Sequence, residues 1–427
     1  MPPTVPFSRR AARAHGAPIS YLMEQGVSNP GVISLAAGLV DQDSLPVDEV
    51  AQACARLMAH PALARELLQY GATPGYAPLR DLLARRLAEM DGLAPGENDL
   101  CGDRVLIGAG SQQLLYLVGE VLLDPGDVVL ADAPTYFVYM GALESMDARI
   151  VPVDADDDGL VPESLEVRLD EIQRRGELDR VKFIYVVSYF NNPTGMTLSA
   201  DRRKQVVEIA KRWSRASRIH VVEDAAYREL SYFGDPPPSM LRFDPDASTV
   251  LYAGTFSKPF APGVRTGYLV APRDLVGALV RQKGHHDFGS ANLTQGLVLE
   301  VLESGAYDRH LARLRTIYGE KLRLTLNTLQ DALSPLDPQV EWTRPTGGLY
   351  VWVRTPAGVS TGMDGPFFRD CLDEGVLYVP GEFCYPPGVE GAPTNFLRLS
   401  FGLADARRCR EGLNRFCRVL ARCAGAS

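Results

Sequence analysis

The chain has 427 residues, of which 46% are hydrophobic and 23% charged, and 44 Lys and Arg against 53 Asp and Glu give a net charge of −9. This length and composition are those of a globular protein of two or three domains, which excludes a disordered chain, a collagen and a small disulfide scaffold. The acidic balance disfavours general binding to nucleic acids or to anionic membranes.

The sequence gives no indication of a membrane span, a secretory signal or a metal site. No run of about 18 apolar residues is present, and no apolar stretch follows the arginines near the amino terminus. The seven cysteines form no C-x-x-C pair, which is typical of a reduced, intracellular protein without bound zinc. We therefore expect a cytoplasmic protein with no bound metal.

From about residue 104 the sequence alternates short apolar runs with helical patterns. The apolar runs predict strands and the periodic segments predict helices: strands at 104–107, 128–130, 181–187, 219–222 and 249–252, and helices at 111–123 and 200–213. Near-continuous apolar strands separated by helices indicate a parallel sheet that is covered on both faces. The fold class predicted for this part of the chain is therefore α/β.

The pattern changes after about residue 306. A long amphipathic segment predicts a helix at 309–333, half-exposed strands are expected at 348–353 and 396–400, and a closing helix is expected at 405–423. This order indicates a second, smaller α+β domain. Glycine and proline punctuate the residues before 60 and predict an extended arm or lid. The predicted boundaries are 1–60 for the arm and part of the small domain, 61–305 for the large domain and 306–427 for the small C-terminal domain.

An acidic pair ends one of the predicted strands. The segment VVEDAAY places Glu223 and Asp224 at the carboxyl end of an apolar run, and Tyr227 follows three residues after Asp224. Ligands of open parallel sheets bind at the carboxyl ends of the strands, so a carboxylate there is well placed for chemistry. The alternative is that Asp224 only caps the helix that follows.

A glycine- and proline-rich loop follows the next strand and carries a lysine. In the segment GTFSKPFAPGVRTG, Lys258 stands between a serine and a proline, and Arg265 follows seven residues later. Thr255, Ser257 and Arg265 together offer the donors that hold a phosphate. A lysine beside a phosphate site predicts a Schiff base to a phosphorylated aldehyde, whereas a lone loop lysine is more often a solvated surface residue.

The segment IGAGSQQ at 107–113 has the order strand, glycine turn and helix start. Backbone N–H groups at such a helix start bind anions, and the helix dipole adds to the attraction. A dinucleotide fingerprint G-x-G-x-x-G would need a glycine where Gln113 stands, and no G-x-x-x-x-G-K-[ST] is present. The sequence therefore favours an anion cradle over a nucleotide-binding site.

Together these segments resemble the fold-type I pyridoxal-phosphate (PLP) aminotransferases of class I/II, and within them the 2-aminoadipate and aromatic aminotransferase branch. The resemblance extends in chain order from about Ile33 to Arg398. It implies a large domain with a mostly parallel, seven-stranded-type sheet flanked by helices, and a smaller α+β domain. The motifs that carry it are ISLAAGLVDQDSLP (33–46), LQYGATPGYAPLR (68–80), GAGSQQ (108–113), ADAPTYF (131–137), FNNPTG (190–195), EDAAY (223–227), TFSKPFAPGVRTG (255–267), PTGGLYVWV (345–353) and NFLRLSF (395–401).

The resemblance implies catalytic roles for Lys258, Asp224 and Tyr227. Lys258 is similar to the lysine that binds the cofactor as a Schiff base and carries the proton between the substrate α-carbon and the cofactor. Asp224 resembles the partner of the pyridine nitrogen, whose protonation makes the ring an electron sink. Tyr227 and Asn192 resemble the donors to the phenolic oxygen, which keep the Schiff-base pKa low enough for proton transfer at neutral pH.

The resemblance also implies how the cofactor's ring and phosphate are held, and that the active site needs two subunits. Tyr136 resembles the residue that stacks on the pyridine ring, although a core aromatic is the alternative. Tyr70 resembles the tyrosine that reaches the phosphate from the neighbouring subunit, which implies a homodimer. The implied phosphate cradle has two walls, Gly110, Ser111 and Gln112 on one side and Thr255, Ser257 and Arg265 on the other.

A substrate-binding set is implied by the same comparison. Arg398 resembles the arginine that grips the substrate α-carboxylate with its two-pronged guanidinium, and Asn192 and Gly38 complete the set. A charge in the apolar run NFLRLSF needs a partner, which a substrate carboxylate would supply. Gly38 adjoins the Gly/Pro-rich residues 15–45, which we expect to form the specificity lid.

The chain departs from the branch at three positions. Asn191 stands where relatives often have glutamine, and Ala37 stands where a second glycine is common. Met23 falls where the aminoadipate enzymes carry an arginine for the distal carboxylate. The last difference argues against a preference for acidic side chains, so the aminoadipate substrate is not carried over.

The implied function is an aminotransferase that moves an amino group between an L-amino acid and a 2-oxo acid by a ping-pong mechanism. The alternative is another reaction of the same cofactor on the same fold, in a lyase, a decarboxylase or an oxidative enzyme. An arginine at 398 favours a substrate that keeps its carboxylate. A third hypothesis, a ligand-sensing domain behind a DNA-binding domain, is disfavoured because the family-like region begins near residues 15–33.

Overall fold

The computed structural model describes residues 5–14, 22, 29, 31–334, 339–386, 389 and 391–425. Its strands, in chain order, are β1 (Ile33–Ser34), β2 (Val105–Gly108), β3 (Val128–Ala133), β4 (Arg149–Asp156), β5 (Gly159–Leu160), β6 (Val181–Val187), β7 (His220–Asp224), β8 (Val250–Thr255), β9 (Gly267–Val270), β10 (Glu341–Trp342), β11 (Tyr350–Arg354), β12 (Val376–Leu377), β13 (Val379–Pro380) and β14 (Phe396–Ser400).

The α-helices of the same residues are α1 (Arg9–Arg13), α2 (Val47–Met58), α3 (Pro61–Leu67), α4 (Ala77–Asp91), α5 (Ser111–Leu122), α6 (Phe137–Ser145), α7 (Pro162–Arg174), α8 (Ala200–Trp213), α9 (Arg273–Asp287), α10 (Asn292–Glu303), α11 (Ala306–Leu333), α12 (Pro366–Asp373) and α13 (Ala406–Gly425). Short 3-10 helices lie at Glu97–Asp99, Gly102–Arg104, Leu178–Arg180, Met240–Phe243, Pro262–Val264 and Gly381–Cys384.

Eight of the described strands form the main sheet, in the order β2-β9-β8-β7-β6-β3-β4-β5. Strands β4, β3, β6, β7 and β8 are mutually parallel, whereas β9 is antiparallel to both of its neighbours. The two-residue strand β5 adds an antiparallel edge. The prediction of a mostly parallel α/β sheet is therefore confirmed, and the eighth strand arises from this short edge.

The two faces of the sheet are both covered, which explains the continuous apolar runs. Along β6, Ile184 and Val186 belong to one hydrophobic cluster, whereas Phe183 and Tyr185 belong to a second cluster on the other face. All four side chains are buried. A strand with cover on both faces needs apolar residues at successive positions, because neighbouring side chains point to opposite faces.

Several element boundaries agree with the sequence pattern. The strands at 181–187 and 396–400 and the helix at 200–213 have the bounds that the pattern predicts. The strand that begins at Val128 is longer than predicted, because pairing with β4 continues through Asp132 to Ala133. Asp132 interrupts the apolar run but is itself buried and accepts hydrogen bonds from Thr135 and Asn191.

The C-terminal residues form a four-stranded antiparallel sheet in the order β10-β11-β14-β13, accompanied by α11, α12 and α13. The predicted α+β pattern is present, but the expectation that β11 and β14 are half-exposed is wrong. Nearly all of their residues are buried. Residues just after β1 pass beside β14, where Leu35 accepts a hydrogen bond from Ser400 N–H, and this segment removes the strand from solvent.

The expectation of an extended arm before residue 60 is wrong for its last part only, since residues 31–46 are mostly irregular. Residues 47–58 form the helix α2, whose apolar side packs against α10. Strand β1 pairs in parallel with β12 near the other end of the chain. The first 60 residues thus contact both of the predicted domains, and the boundaries at 60 and 305 stay a prediction. None of the helices in the described ranges is long and apolar enough to cross a membrane.

Candidate active site

The carboxyl ends of five strands meet at one edge of the main sheet. Strand β9 runs opposite to its neighbours β2 and β8, so β2 points in the same direction as β3, β6, β7 and β8. The chain leaves each of these five strands in a loop or helix start that carries polar residues. The sheet topology therefore gathers residues that lie up to about 150 positions apart in the sequence.

A cavity of about 220 Å³ lies at this edge. Its lining holds every cofactor-binding residue expected from the sequence except Tyr70. The lining residues are Gly110, Ser111, Gln112, Tyr136, Val187, Asn192, Asp224, Ala226, Tyr227, Thr255, Ser257, Lys258, Pro262 and Arg265.

Lys258 lies in the cavity wall, and it is not a solvated surface lysine. Its Nζ donates a hydrogen bond to the carbonyl oxygen of Gly38 at 2.6 Å. Removal of the amine from water lowers the pKa of Lys258, and the cations of Arg398 and Arg265 lower it further. A larger fraction of this amine is therefore neutral, and nucleophilic, at a given pH than for an exposed lysine.

Asp224 is the acid of strand β7 that enters the cavity. Its carboxylate accepts hydrogen bonds from the Tyr185 hydroxyl at 2.9 Å and from the Ala226 N–H at 3.2 Å. Burial raises the pKa of Asp224 to about 6, and the bond from Tyr185 opposes this rise. Because only two groups donate hydrogen bonds to this buried carboxylate, it is well suited to bind a cation or a protonated ring nitrogen.

Glu223 points to the opposite face of the sheet and does not reach the cavity. Its carboxylate is buried with Arg203, the two charged groups lie 2.6 Å apart, and Ser188 and the Met240 N–H also donate to it. The alternation of side chains along a strand separates these two neighbouring acids. Of the two neighbouring acids, Asp224 therefore belongs to the site and Glu223 has a structural role.

Arg398 is buried behind the cavity wall, and only some of its N–H groups have hydrogen-bond partners in the described residues. It occupies the middle of β14 and donates to the Asn192 side-chain oxygen at 2.6 Å and to the Ala36 carbonyl at 2.6 Å. Its Nε finds no hydrogen-bond partner among the described residues. A buried N–H without an acceptor is costly, so the guanidinium keeps unused donor capacity for an anionic partner such as a carboxylate.

The phosphate cradle predicted from the sequence forms at the start of helix α5. Gly110 precedes the helix with a φ of 91°, which favours glycine, and its position gives the helix no side-chain cap. Arg265 lies beside this turn and donates to the Ala109 carbonyl at 2.8 Å. The first turn of the helix lines the cavity at Gly110, Ser111 and Gln112, and the backbone N–H groups of a first turn have no partner within the helix, so they remain available to an anion.

Tyr136 and Tyr70 have different positions relative to the cavity. Tyr136 is half-buried in its wall, immediately before helix α6. Tyr70 is 79% exposed and contacts the Phe288 ring edge-on, with ring centroids 5.7 Å apart. Within a single chain, Tyr70 therefore does not line the cavity. Met23 lies outside the described residues.

Two buried tyrosines at the site were missed by the sequence reasoning. Tyr185 donates to Asp224, and the Tyr350 hydroxyl lies 3.1 Å from that of Tyr227. Both stand in apolar strand patterns, β6 and β11, where a tyrosine looks like a core residue. The one available signal is that a fully buried phenol needs a hydrogen-bond partner.

One protein family matches the chain over most of its length. The sequence model of the family described as aminotransferase class I and II matches residues 30–416. The chain belongs to the class I and II aminotransferases. This match spans the main sheet, the cavity and the C-terminal sheet.

Individual aminotransferases are similar over nearly the whole chain. The 2-aminoadipate transaminase of Thermus thermophilus is 36% identical, covering 97% of this chain and 96% of the relative. The aromatic-amino-acid aminotransferase 1 of Thermococcus litoralis is 31% identical, covering 97% and 94%. The crystal structure of the α-aminoadipate aminotransferase of Thermus thermophilus, complexed with N-(5'-phosphopyridoxyl)-L-leucine, has a TM-score of 0.83 at 34% identity and covers 99% of this chain and 98% of that chain.

The chain is accordingly an aminotransferase that transfers an amino group between an amino acid and a 2-oxo acid, with PLP as its cofactor. The residues present fit this group. The cavity joins an amine, a buried carboxylate and an anion cradle, and the Arg398 Nε is a donor without a partner in the described residues. These are the functional groups that a phosphorylated aldehyde with a basic ring and a carboxylate substrate require.

Proposed function

We propose that Lys258 is the covalent anchor of the cofactor and the proton carrier of the reaction. Bound PLP supplies an aldehyde carbon and an electron-withdrawing ring. With this group bound, the Nζ of Lys258 would be the base that takes the proton from the substrate α-carbon and holds it for return. Its lowered pKa suits this exchange, because a base with a pKa nearer neutrality both gains and loses a proton readily.

Asp224 keeps the ring nitrogen protonated in this proposal. Its carboxylate is buried, and its two hydrogen bonds come from Tyr185 and Ala226, which leaves lone pairs for a charged N–H donor. Tyr227 and Asn192 donate to the phenolic oxygen. The side-chain oxygen of Asn192 already accepts from Arg398, so its amide NH₂ is the group left to donate into the cavity.

The substrate is held by its α-carboxylate on Arg398. The guanidinium is held by hydrogen bonds to Asn192 and Ala36, and its Nε, unpartnered in the described residues, is a donor left for an anion. A substrate held in this way keeps its carboxylate throughout, which favours amino acids and 2-oxo acids over a decarboxylation. The phosphate of the cofactor is held by the start of α5 with Thr255, Ser257 and Arg265.

The active unit in this proposal is a homodimer in the cytoplasm. Leu68, Tyr70 and Phe288 are large apolar side chains that are 67%, 79% and 65% exposed, and the first two line a hollow of about 330 Å³. A second copy covering this patch would remove it from water, and Tyr70 would then complete the phosphate cradle of the neighbouring subunit. The seven cysteines all lie in described residues and form no disulfide, which supports a reducing compartment.

The single observation that carries the proposal is that the Lys258 amine and the buried Asp224 carboxylate line the same cavity. Borohydride reduction of the cofactor-loaded protein, followed by peptide mass spectrometry, should place the modification on Lys258. Lys258→Ala should lose at least about a thousandfold in activity, while Lys182→Ala, which removes a lysine paired with Asp127, serves as the control. Modification of another lysine, or an active Lys258→Ala, would contradict it.

A further inference from the structure

Tyr350 contacts three parts of the site that come from distant segments of the chain. It is buried at the start of β11, and its hydroxyl lies 3.1 Å from the Tyr227 hydroxyl. The Arg398 guanidinium lies over its ring at 4.3 Å from the centroid. Its hydroxyl also faces Gly38, whose carbonyl accepts the hydrogen bond from Lys258.

The chemistry of the site fixes the direction of the bond between the two phenols. Each hydroxyl has one proton to donate. If Tyr227 uses its proton on the phenolic oxygen of the cofactor, its own oxygen has to accept from Tyr350. A phenol that accepts a hydrogen bond is a stronger donor, because the two bonds polarise each other.

We propose that Tyr350 is a positioning residue of the transamination site that acts through Tyr227, Arg398 and Gly38. Its hydroxyl strengthens Tyr227 as a donor, and its ring supports Arg398 by a cation–π contact. This inference rests on the roles proposed above for Tyr227 and Arg398. Borohydride labelling of Lys258 tests the proposed function separately. The proposed function and the role of Tyr350 can therefore fail independently.

The same hydroxyl explains why position 38 is a glycine. A Cβ built on Gly38 lies 2.6 Å from the Tyr350 oxygen and 3.7 Å from the ring carbon that bears it. The first distance is a clash, whereas the second is an ordinary contact. An alanine at 38 must therefore displace either the Tyr350 hydroxyl or the backbone that bonds Lys258, and it fits without displacement when Tyr350 is phenylalanine.

Two variants of Tyr350 separate the contribution of its hydroxyl to Tyr227 from the contribution of its ring to Arg398. Tyr350→Phe keeps the ring and should raise the pH at which the visible band of the bound cofactor titrates by about half a unit, with little change in KM. Tyr350→Leu also removes the ring and should raise the KM for amino acids about three- to tenfold. Tyr378→Phe, at a buried tyrosine whose hydroxyl donates to the Thr361 carbonyl, is the control and should change neither value.

The coupling between Gly38 and Tyr350 gives the sharpest test. Gly38→Ala should lower kcat/KM by about tenfold or more in the native background, and by less than about threefold when combined with Tyr350→Phe. Gly31→Ala, in the same segment but with open space around it, should have no effect in either background. An equal loss from Gly38→Ala in both backgrounds, or a Tyr350→Phe band that titrates as in the native protein, would overturn the proposal.

Discussion

At the scale of single residues, the sequence predicts the groups that do chemistry better than the groups that support them. Lys258 and Asp224 are polar residues at or just after the ends of apolar strands, and this position alone marks them as candidates. Tyr185 and Tyr350 occupy strand positions where aromatic residues usually fill a core. Their hydroxyl partners come from other segments, and only the assembled fold brings these partners within reach.

Tyr185 offers a prediction at this scale. Tyr185→Phe removes a donor to the ionised Asp224, so the pKa of that carboxyl rises further and its anionic form becomes less populated. We expect weaker cofactor binding and a loss of kcat of about three- to tenfold, as for one hydrogen bond to a charged group. The loss should be larger at pH 6 than at pH 8.

Tyr139→Phe is the matched control for this measurement. Tyr139 is equally buried, its ring lies 4.6 Å from that of Tyr185, and its hydroxyl bonds the Leu115 carbonyl rather than Asp224. The kinetic constants and cofactor affinity of Tyr139→Phe should stay within about twofold of the native values, because one neutral hydrogen bond away from the site is lost. Equal effects of the two substitutions would show that packing, not the bond to Asp224, is responsible.

At the scale of elements, the position of the cradle depends on close contact between β9 and the start of α5. A Cβ on Gly267 would lie 2.5 Å from the Ser111 nitrogen and 2.6 Å from the Gly110 carbonyl carbon. The strand order that makes β9 a neighbour of β2 and β8 could not be read from the sequence, since the pattern predicts a strand's existence but not its partners.

Gly267→Ala should therefore move the start of α5 and weaken cofactor binding. We expect the dissociation constant of the cofactor to rise about tenfold or more, in line with the loss of one or two hydrogen bonds to a charged phosphate. Absorbance titration of the apo-protein measures this directly. Gly263→Ala, four residues earlier and with open space around it, should bind the cofactor as the native protein does, and equal affinities for all three proteins would contradict the account.

Helix α11 carries a second prediction, on stability against pH. His310 is fully buried, its Nε2 has no partner in the described ranges, and burial with the nearby Arg313 lowers its pKa to about 4. The unfolded chain gains this proton near pH 6.5 but the folded protein only near pH 4, so the contribution of His310 to stability is present above pH 6.5 and is lost as the pH falls.

His310→Gln isolates this effect. The difference in melting temperature between the native protein and the variant should be largest at about pH 7–8 and should shrink towards about pH 4, because only the native protein loses stability through this group. Thermal unfolding of both proteins across this range measures it. A difference that stays constant with pH would mean that His310 is protonated equally in the folded and unfolded states.

At the scale of the whole molecule, the fold class was predictable, but the course of the first 60 residues was not. The motif order predicts a mostly parallel sheet and a C-terminal α+β region, and both are present. The glycines and prolines before residue 60 predict an arm, whereas tertiary contacts with α10 stabilise a helix at 47–58. Local pattern cannot report contacts between segments so far apart in the sequence.

Complementation between subunits tests the proposed dimer. Tyr70→Phe should lower activity about tenfold or more, as expected for a lost hydrogen bond to phosphate, and Lys258→Ala should abolish it. In a hybrid dimer, one site combines Lys258 of one subunit with Tyr70 of the other, and both are intact. Mixing the unfolded variants and refolding them should therefore restore activity above the mean of the parents. Activity no higher than that mean would place Tyr70 outside the neighbouring site.

The central claim is that this chain transaminates through a cofactor bound in the cavity of Lys258 and Asp224. The most direct test is the visible spectrum of the purified, PLP-loaded protein after addition of a single amino acid without any oxo acid. The account predicts that the visible band of the bound aldehyde form disappears and returns when 2-oxoglutarate is added, since each half of a ping-pong reaction is complete by itself. A band that persists with every amino acid tested would contradict it.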